Sequence, residues 1–189
     1  MAKYNFGDAS QDVNLGATPD IYQGFGRIQL SNVLPLKGVF DFDLYVSDLA
    51  LLGENSAKSL YVDVSSGNQP LRVTITWYDP PNSGTPSKAL LSNLDLLLTS
   101  PSGAKYYGNR GKASRKDSKN NVEQITVLTP IQGMWMIAVS AKALPYSGSQ
   151  KFSIVVTSLG TVTESDSNFS RPPVTPFPHI DNPPTDRKI

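Results

Sequence analysis

The 189 residues carry 17 lysines and arginines against 16 aspartates and glutamates, a formal net charge of +1, with one histidine and no cysteine. That balance supplies no global field for nucleic acid or an acidic membrane, and the missing cysteine excludes a disulfide framework and any thiolate metal site. The length suffices for one well-filled core.

In chain order, residues 1 to about 20 are polar and without a period that would bury a face, so an extended lead-in is expected. Within Gly24-Phe25-Gly26-Arg27-Ile28-Gln29-Leu30-Ser31-Asn32-Val33-Leu34, the spacing of Ile28, Leu30 or Ser31, and Leu34 predicts a short helix that Pro35 helps to end. Strands begin after Gly38. Phe40, Phe42, Leu44 and Val46 fall on one face and Asp41, Asp43 and Tyr45 on the other, and Leu60, Val62 and Val64 alternate with Tyr61 and Asp63. Gly67-Asn68-Gln69-Pro70 then turns the chain into Leu71, Val73, Ile75 and Trp77, which alternate with Arg72, Thr74, Thr76 and Tyr78. These three strands are expected to be neighbours in one sheet.

After Asp79-Pro80-Pro81-Asn82-Ser83-Gly84 come Leu94, Leu96 and Leu98, a turn at Pro101-Ser102-Gly103, and a short strand from Ala104 to Tyr107. Glu123, Ile125 and Val127 form the next strand, Trp135, Ile137 and Val139 another, and Phe152, Ile154 and Val156 the last. About eight short strands, with no amphipathic helix between them, predict an all-β fold: an antiparallel β-sandwich or jelly roll with one short N-terminal helix, an immunoglobulin-like order being the alternative. The expected divisions are a lead-in and closing helix over 1–37, a sandwich over 38–160, and a tail or linker over 161–189. In the tail, Pro172, Pro173, Pro176, Pro178, Pro183 and Pro184 sit among Ser, Asp and Asn, a composition that cannot offset the entropy of ordering. No apolar run is long enough to cross a bilayer, and the first residues lack a basic segment followed by an apolar one, so an export signal would lie outside this chain.

A serine or cysteine mechanism needs an imidazole beside the nucleophile, and the one histidine, His179, falls in the proline-rich stretch. Catalysis by a triad within this chain is therefore not expected. Two-carboxylate chemistry can be drawn through Asp41 with Asp43 or Asp79 with Asp95, but nothing in their spacing selects them over solvated strand residues. Oxygen donors are denser at Asn93, Asp95, Asn109, Asp117, Asn120, Asn121 and Glu123, and calcium takes six to eight oxygen ligands without histidine or cysteine. The alternative is that these asparagines satisfy loop backbone while the acids face water. Arg110, Lys112, Arg115, Lys116 and Lys119 crowd the same loop, where a phosphate-holding cluster competes with an ordinary solvated loop. Trp77, Tyr78, Tyr106 and Tyr107 offer either core packing or an exposed platform for carbohydrate or another surface.

Gln23-Gly24-Phe25-Gly26-Arg27-Ile28-Gln29-Leu30 resembles the closing segment of a subtilisin-like serine protease catalytic domain, where a G-x-G-R-[IV] stretch precedes the last helix. The chain beyond that segment is similar to the jelly-roll domain appended to alkaline bacterial members of that family. The matching pieces are Leu71 to Pro80, Ser92-Asn93-Leu94-Asp95-Leu96, Pro101-Ser102-Gly103 with Tyr107-Gly108-Asn109, Asn120-Asn121-Val122-Glu123, Gly133-Met134-Trp135 and Phe152-Ser153-Ile154. The resemblance covers roughly residues 20 to 159. It implies a secreted, extracellular peptidase of which this is a non-catalytic part, with a preceding catalytic domain and its protein substrate as partners. It also implies calcium, carried here onto Asn93, Asp95, Asn109, Asn121 and Glu123. The sequence departs from the family at Arg115-Lys116-Asp117-Ser118-Lys119, which is mainly basic where the family often has an Asp-rich loop.

Overall fold

The computed structural model describes residues 24–26, 28–36, 38–81, 90–110, 116–145 and 148–164. Among them run nine strands: β1 (Asp43–Gly53), β2 (Ala57–Val64), β3 (Leu71–Trp77), β4 (Asn93–Thr99), β5 (Lys105–Tyr107), β6 (Val122–Val127), β7 (Gly133–Ala143), β8 (Ser149–Ser158) and β9 (Gly160–Glu164). Alternation works as expected in the central strand, where Leu71, Val73, Ile75 and Trp77 are buried and the residues between them are not. Leu94, Leu96 and Leu98 face them from β4, and Trp135, Ile137 and Val139 from β7, all buried. Each such side chain stabilises the fold by about 1.5–3 kcal/mol relative to exposure, so the interior is what the strand pattern serves.

The pairings are nested. β1 pairs with β8, β2 with β7, β3 with β6 and β4 with β5, all antiparallel, as in one long ribbon folded back on itself. The ribbon rolls up because β8 also pairs with β3 and β7 with β4. The result is a sheet β1-β8-β3-β6 packed on a sheet β5-β4-β7-β2-β9, which is jelly-roll order with β9 added outside β2. An immunoglobulin-like order would place the first two strands in the same sheet, and here β1 and β2 lie in different ones.

Several expectations are corrected. β2 is not a sheet neighbour of β1 or β3, because the chain crosses between the layers at each of those turns. The face assigned to the start of β1 is inverted: Tyr45 and Ser47 are buried while Val46 is 38% exposed. A register irregularity between Ser47 and Ala50 changes the parity, so that Ala50 and Leu52 continue the inward row. The short N-terminal helix is a single 3-10 turn, Leu30–Asn32, with no buried residue to anchor a longer one. Strand structure continues past 160, since Gly160–Glu164 pairs with Leu60–Val64; the remainder of the expected tail lies outside the described residues.

Both open sides of the sandwich are fastened by carboxylates. On one side, between the edge strands β1 and β9, the Tyr45 hydroxyl donates to Glu164 at 2.8 Å and the Gly160 N–H to Asp43 at 3.0 Å. On the other, β6 of the first sheet reaches β4 of the second through Glu123, whose carboxyl accepts the Leu96 N–H.

Candidate functional site

β5 is short and stops with Tyr107 opposite Leu97. The next N–H of β4, that of Leu96, donates instead to Glu123 Oε2 at 2.6 Å. Alternation in β6 puts Glu123 on the inward face with Ile125, and only 1% of it is exposed. Room for the carboxyl exists because residue 108 is glycine: a Cβ there would collide with the Glu123 carboxyl and its own Cβ. Burial is the main cause that pushes the Glu123 carboxyl up to about 8; the Leu96 N–H opposes this, and the negative charges of Asp95 and Asp117 add to it. That displacement favours the protonated carboxyl near neutral pH.

Asn93 and Asp95 share the outward face of β4. Asp95 Oδ2 accepts from Lys116 Nζ at 2.9 Å, whereas Asp95 Oδ1 and Asn93 Oδ1 are buried and without a hydrogen-bond partner among the described residues. Buried acceptors of that kind are uncommon and point to something that satisfies them. Lys116 belongs to the loop read as a basic cluster, and its role here is to neutralise Asp95. Residues 111–115 of that loop lie outside the described residues.

Asn109 sits at φ 49°, the left-handed conformation that asparagine tolerates best after glycine. Its Oδ1 accepts the Gln124 N–H at 3.1 Å, and its Nδ2 donates to Val122 O at 2.8 Å and to Asp117 Oδ2 at 2.5 Å. Asp117 also accepts the N–H groups of Lys119 and Asn120 and the Asn120 amide, and these hydrogen bonds hold its carboxyl below the usual range against the opposing effect of burial. Asn121 is turned away, donating Nδ2 to Trp77 O at 3.0 Å.

Of the five residues predicted to bind calcium, Asn93 and Asp95 lie side by side on the outward face of β4, and Glu123 reaches the same strand from the inward side at the Leu96 N–H. Asn109 is spent on holding the loop, and Asn121 on holding β3. Among the described residues no group of three acids or histidines stands in ready metal-binding geometry. The two orphaned oxygens on β4 are donors of the kind a hard cation takes, and Lys116 already brings a positive charge to Asp95. Sequence reading had no signal for Gly108, whose part appears only when the Glu123 side chain is placed. The Lys116–Asp95 pair was equally hidden, since they lie 21 residues apart.

The four aromatic residues do not form a platform. Trp77 is buried and donates its Nε1–H to Ser92 O at 2.8 Å, Tyr106 packs against Trp135 with ring centroids 5.9 Å apart, and Tyr107 is half-buried. Tyr78 stands alone at 84% exposure. Compared with protein-family models and with curated proteins, the chain matches none.

Proposed function

We propose that this chain is the non-catalytic jelly-roll domain of a secreted subtilisin-like serine endopeptidase, packing on the catalytic domain to stabilise it and help present protein substrate. One observation carries the reading most directly. The arm that runs from the G-x-G-R motif to β1 exposes Phe25, within the motif, and then Ile28, Leu30, Val33, Leu34, Leu36, Val39 and Phe40 in close succession, Ile28 by 86%. Scattered surface apolar residues are ordinary, but a continuous series is a contact surface. Its position immediately before a jelly roll is where the resemblance puts the end of a catalytic domain. Purified alone, the chain should cleave neither casein nor a chromogenic peptide; inhibitor-sensitive turnover that tracks the protein band would contradict the reading.

The same proposal includes calcium at Asn93, Asp95 and Glu123, with Asp117 as a further carboxylate whose charge acts on Glu123. The cation would supply positive charge to an otherwise repulsive set of acids and hold Glu123 ionised. Binding to the folded state alone adds about 2.7 kcal/mol when free metal is near one hundred times its dissociation constant. At about 2–4 °C per kcal/mol, the melting temperature should rise by about 5–10 °C in millimolar calcium. Asp95→Asn should shrink that rise and Asp41→Asn should leave it intact. Equal melting temperatures in calcium and in chelator would remove the metal from the account.

A further inference from the structure

The outward face of the four-stranded sheet is unusual for a surface exposed to water. Its cross-strand rows read Leu44, Thr157, Arg72, Thr126 and Val46, Val155, Thr74, Gln124. Those eight central positions hold one charge, on Arg72, while Asp48 and Lys151 stand on the same face nearer its end. The outward face of the other sheet carries Asp63, Asp95 and Lys105 at comparable positions. An antiparallel sheet normally turns a polar face to solvent, and depletion of charge with retention of arginine marks the centre of a protein contact.

Arg72 itself is under-satisfied. Its sole polar partner among the described residues is Asn32 Oδ1, at a long 3.5 Å, and burial lowers its pKa. A guanidinium presents five donors in a planar fork suited to a carboxylate, and a partly buried one is ordinarily paired. Asn32 lies in the 3-10 turn of the exposed apolar arm, so the arm and this face are one continuous surface. Thr157, beside Arg72, is already buried although it points outward.

We infer that the outward face of β1, β8 and β3 around Arg72 is the seat of the preceding catalytic domain, and that an aspartate or glutamate of that domain pairs with the Arg72 guanidinium. The inference rests on the proposed function and adds to it which face is covered and which residue fixes the orientation. Charge complementarity selects the partner: a body that covers a threonine and valine face with one under-satisfied cation must bring an anion to that point.

The test compares this chain alone with the polypeptide that joins it to the subtilisin-like catalytic domain encoded upstream, using hydroxyl-radical footprinting. Leu44, Val46 and Val155 should be oxidised in the isolated chain and protected in the joined one. In trans, Arg72→Met should weaken association of the separately purified domains at least about tenfold, and Arg72→Lys should restore part of it. The isolated Arg72→Met chain should melt within a few degrees of the parent, which separates association from folding. Equal oxidation in the two forms, or unchanged affinity of Arg72→Met, overturns the assignment of this face. If association is instead broken by Phe25→Asp and Leu34→Asp while the face stays oxidised, the proposed function stands and this inference falls. If no catalytic domain precedes the chain, both fall.

Discussion

Between pH 5 and pH 9, with a chelator present, the melting temperature is expected to fall by about 10 °C, and Glu123→Gln is expected to abolish most of that fall. The Glu123 carboxyl is pushed up to about 8 in the folded protein from an ordinary 4.5. Through that interval the folded state keeps a proton that the unfolded chain releases. The stability associated with the neutral carboxyl is complete below about 4.5, declines as the pH rises, and is gone once the pH has passed about 8. A displacement of that size corresponds to up to about 5 kcal/mol. Glutamine is neutral at every pH and retains an oxygen for the Leu96 N–H, so the variant should match the parent at pH 5 and exceed it at pH 9. Asp95, Asp117 and Lys116 all act on Glu123, and none of them is altered by the substitution. Parallel pH profiles for parent and variant would mean that water or a rearranged loop already solvates the carboxyl. Calcium, if it binds here, should reverse the fall at high pH more than it helps at low pH.

Gly108→Ala is expected to destabilise the fold by about 2–5 kcal/mol. Overpacking a filled site costs about 1–3 kcal/mol, and pushing Glu123 away leaves the buried Leu96 N–H unsatisfied for a similar amount. Gly103→Ala serves as the control. Gly103 has φ +84° but open space around it, so its substitution meets backbone strain of about 1–2 kcal/mol and nothing else. The decisive form is a double-mutant cycle. In a Glu123→Ala background the added methyl group should cost distinctly less, because the carboxyl it overlaps is gone and only the 2.9 Å approach to the retained Cβ is left. Additive losses from the two substitutions, measured by denaturant unfolding, would show that Gly108 is needed for some other reason.

The strand pattern was legible because most strands bury one face. Leu71–Trp77 needed only the period of two, and the same rule placed Glu123 on the side of Ile125, although not that its carboxyl would cap a backbone N–H of β4. The inward face at the start of β1 was hidden because hydrophobicity alone favours Leu44 and Val46 over Tyr45 and Ser47, and the bulge beyond Ser47 then switches parity so that Ala50 and Leu52 point inward. β9 escaped notice because Val162 is its one large apolar residue, with threonines on either side. Which turns cross between the sheets was hidden for a different reason: a hairpin and a crossing are both made from Gly, Asn and Pro. The site divided along the same line. Oxygen density marked seven residues alike, but it does not tell that Glu123 caps the Leu96 N–H and Asp95 pairs with Lys116 while Asn109 and Asn121 are committed to backbone groups of β6 and β3.

The most direct test of the central reading is peptide mass mapping of the polypeptide as its natural source makes it, selected through peptides of this chain such as the one spanning Leu71–Trp77. The account predicts that the same polypeptide carries, ahead of the G-x-G-R segment, a subtilisin-like domain with its catalytic aspartate, histidine and serine. A mature polypeptide that holds this jelly roll and no such domain would contradict it.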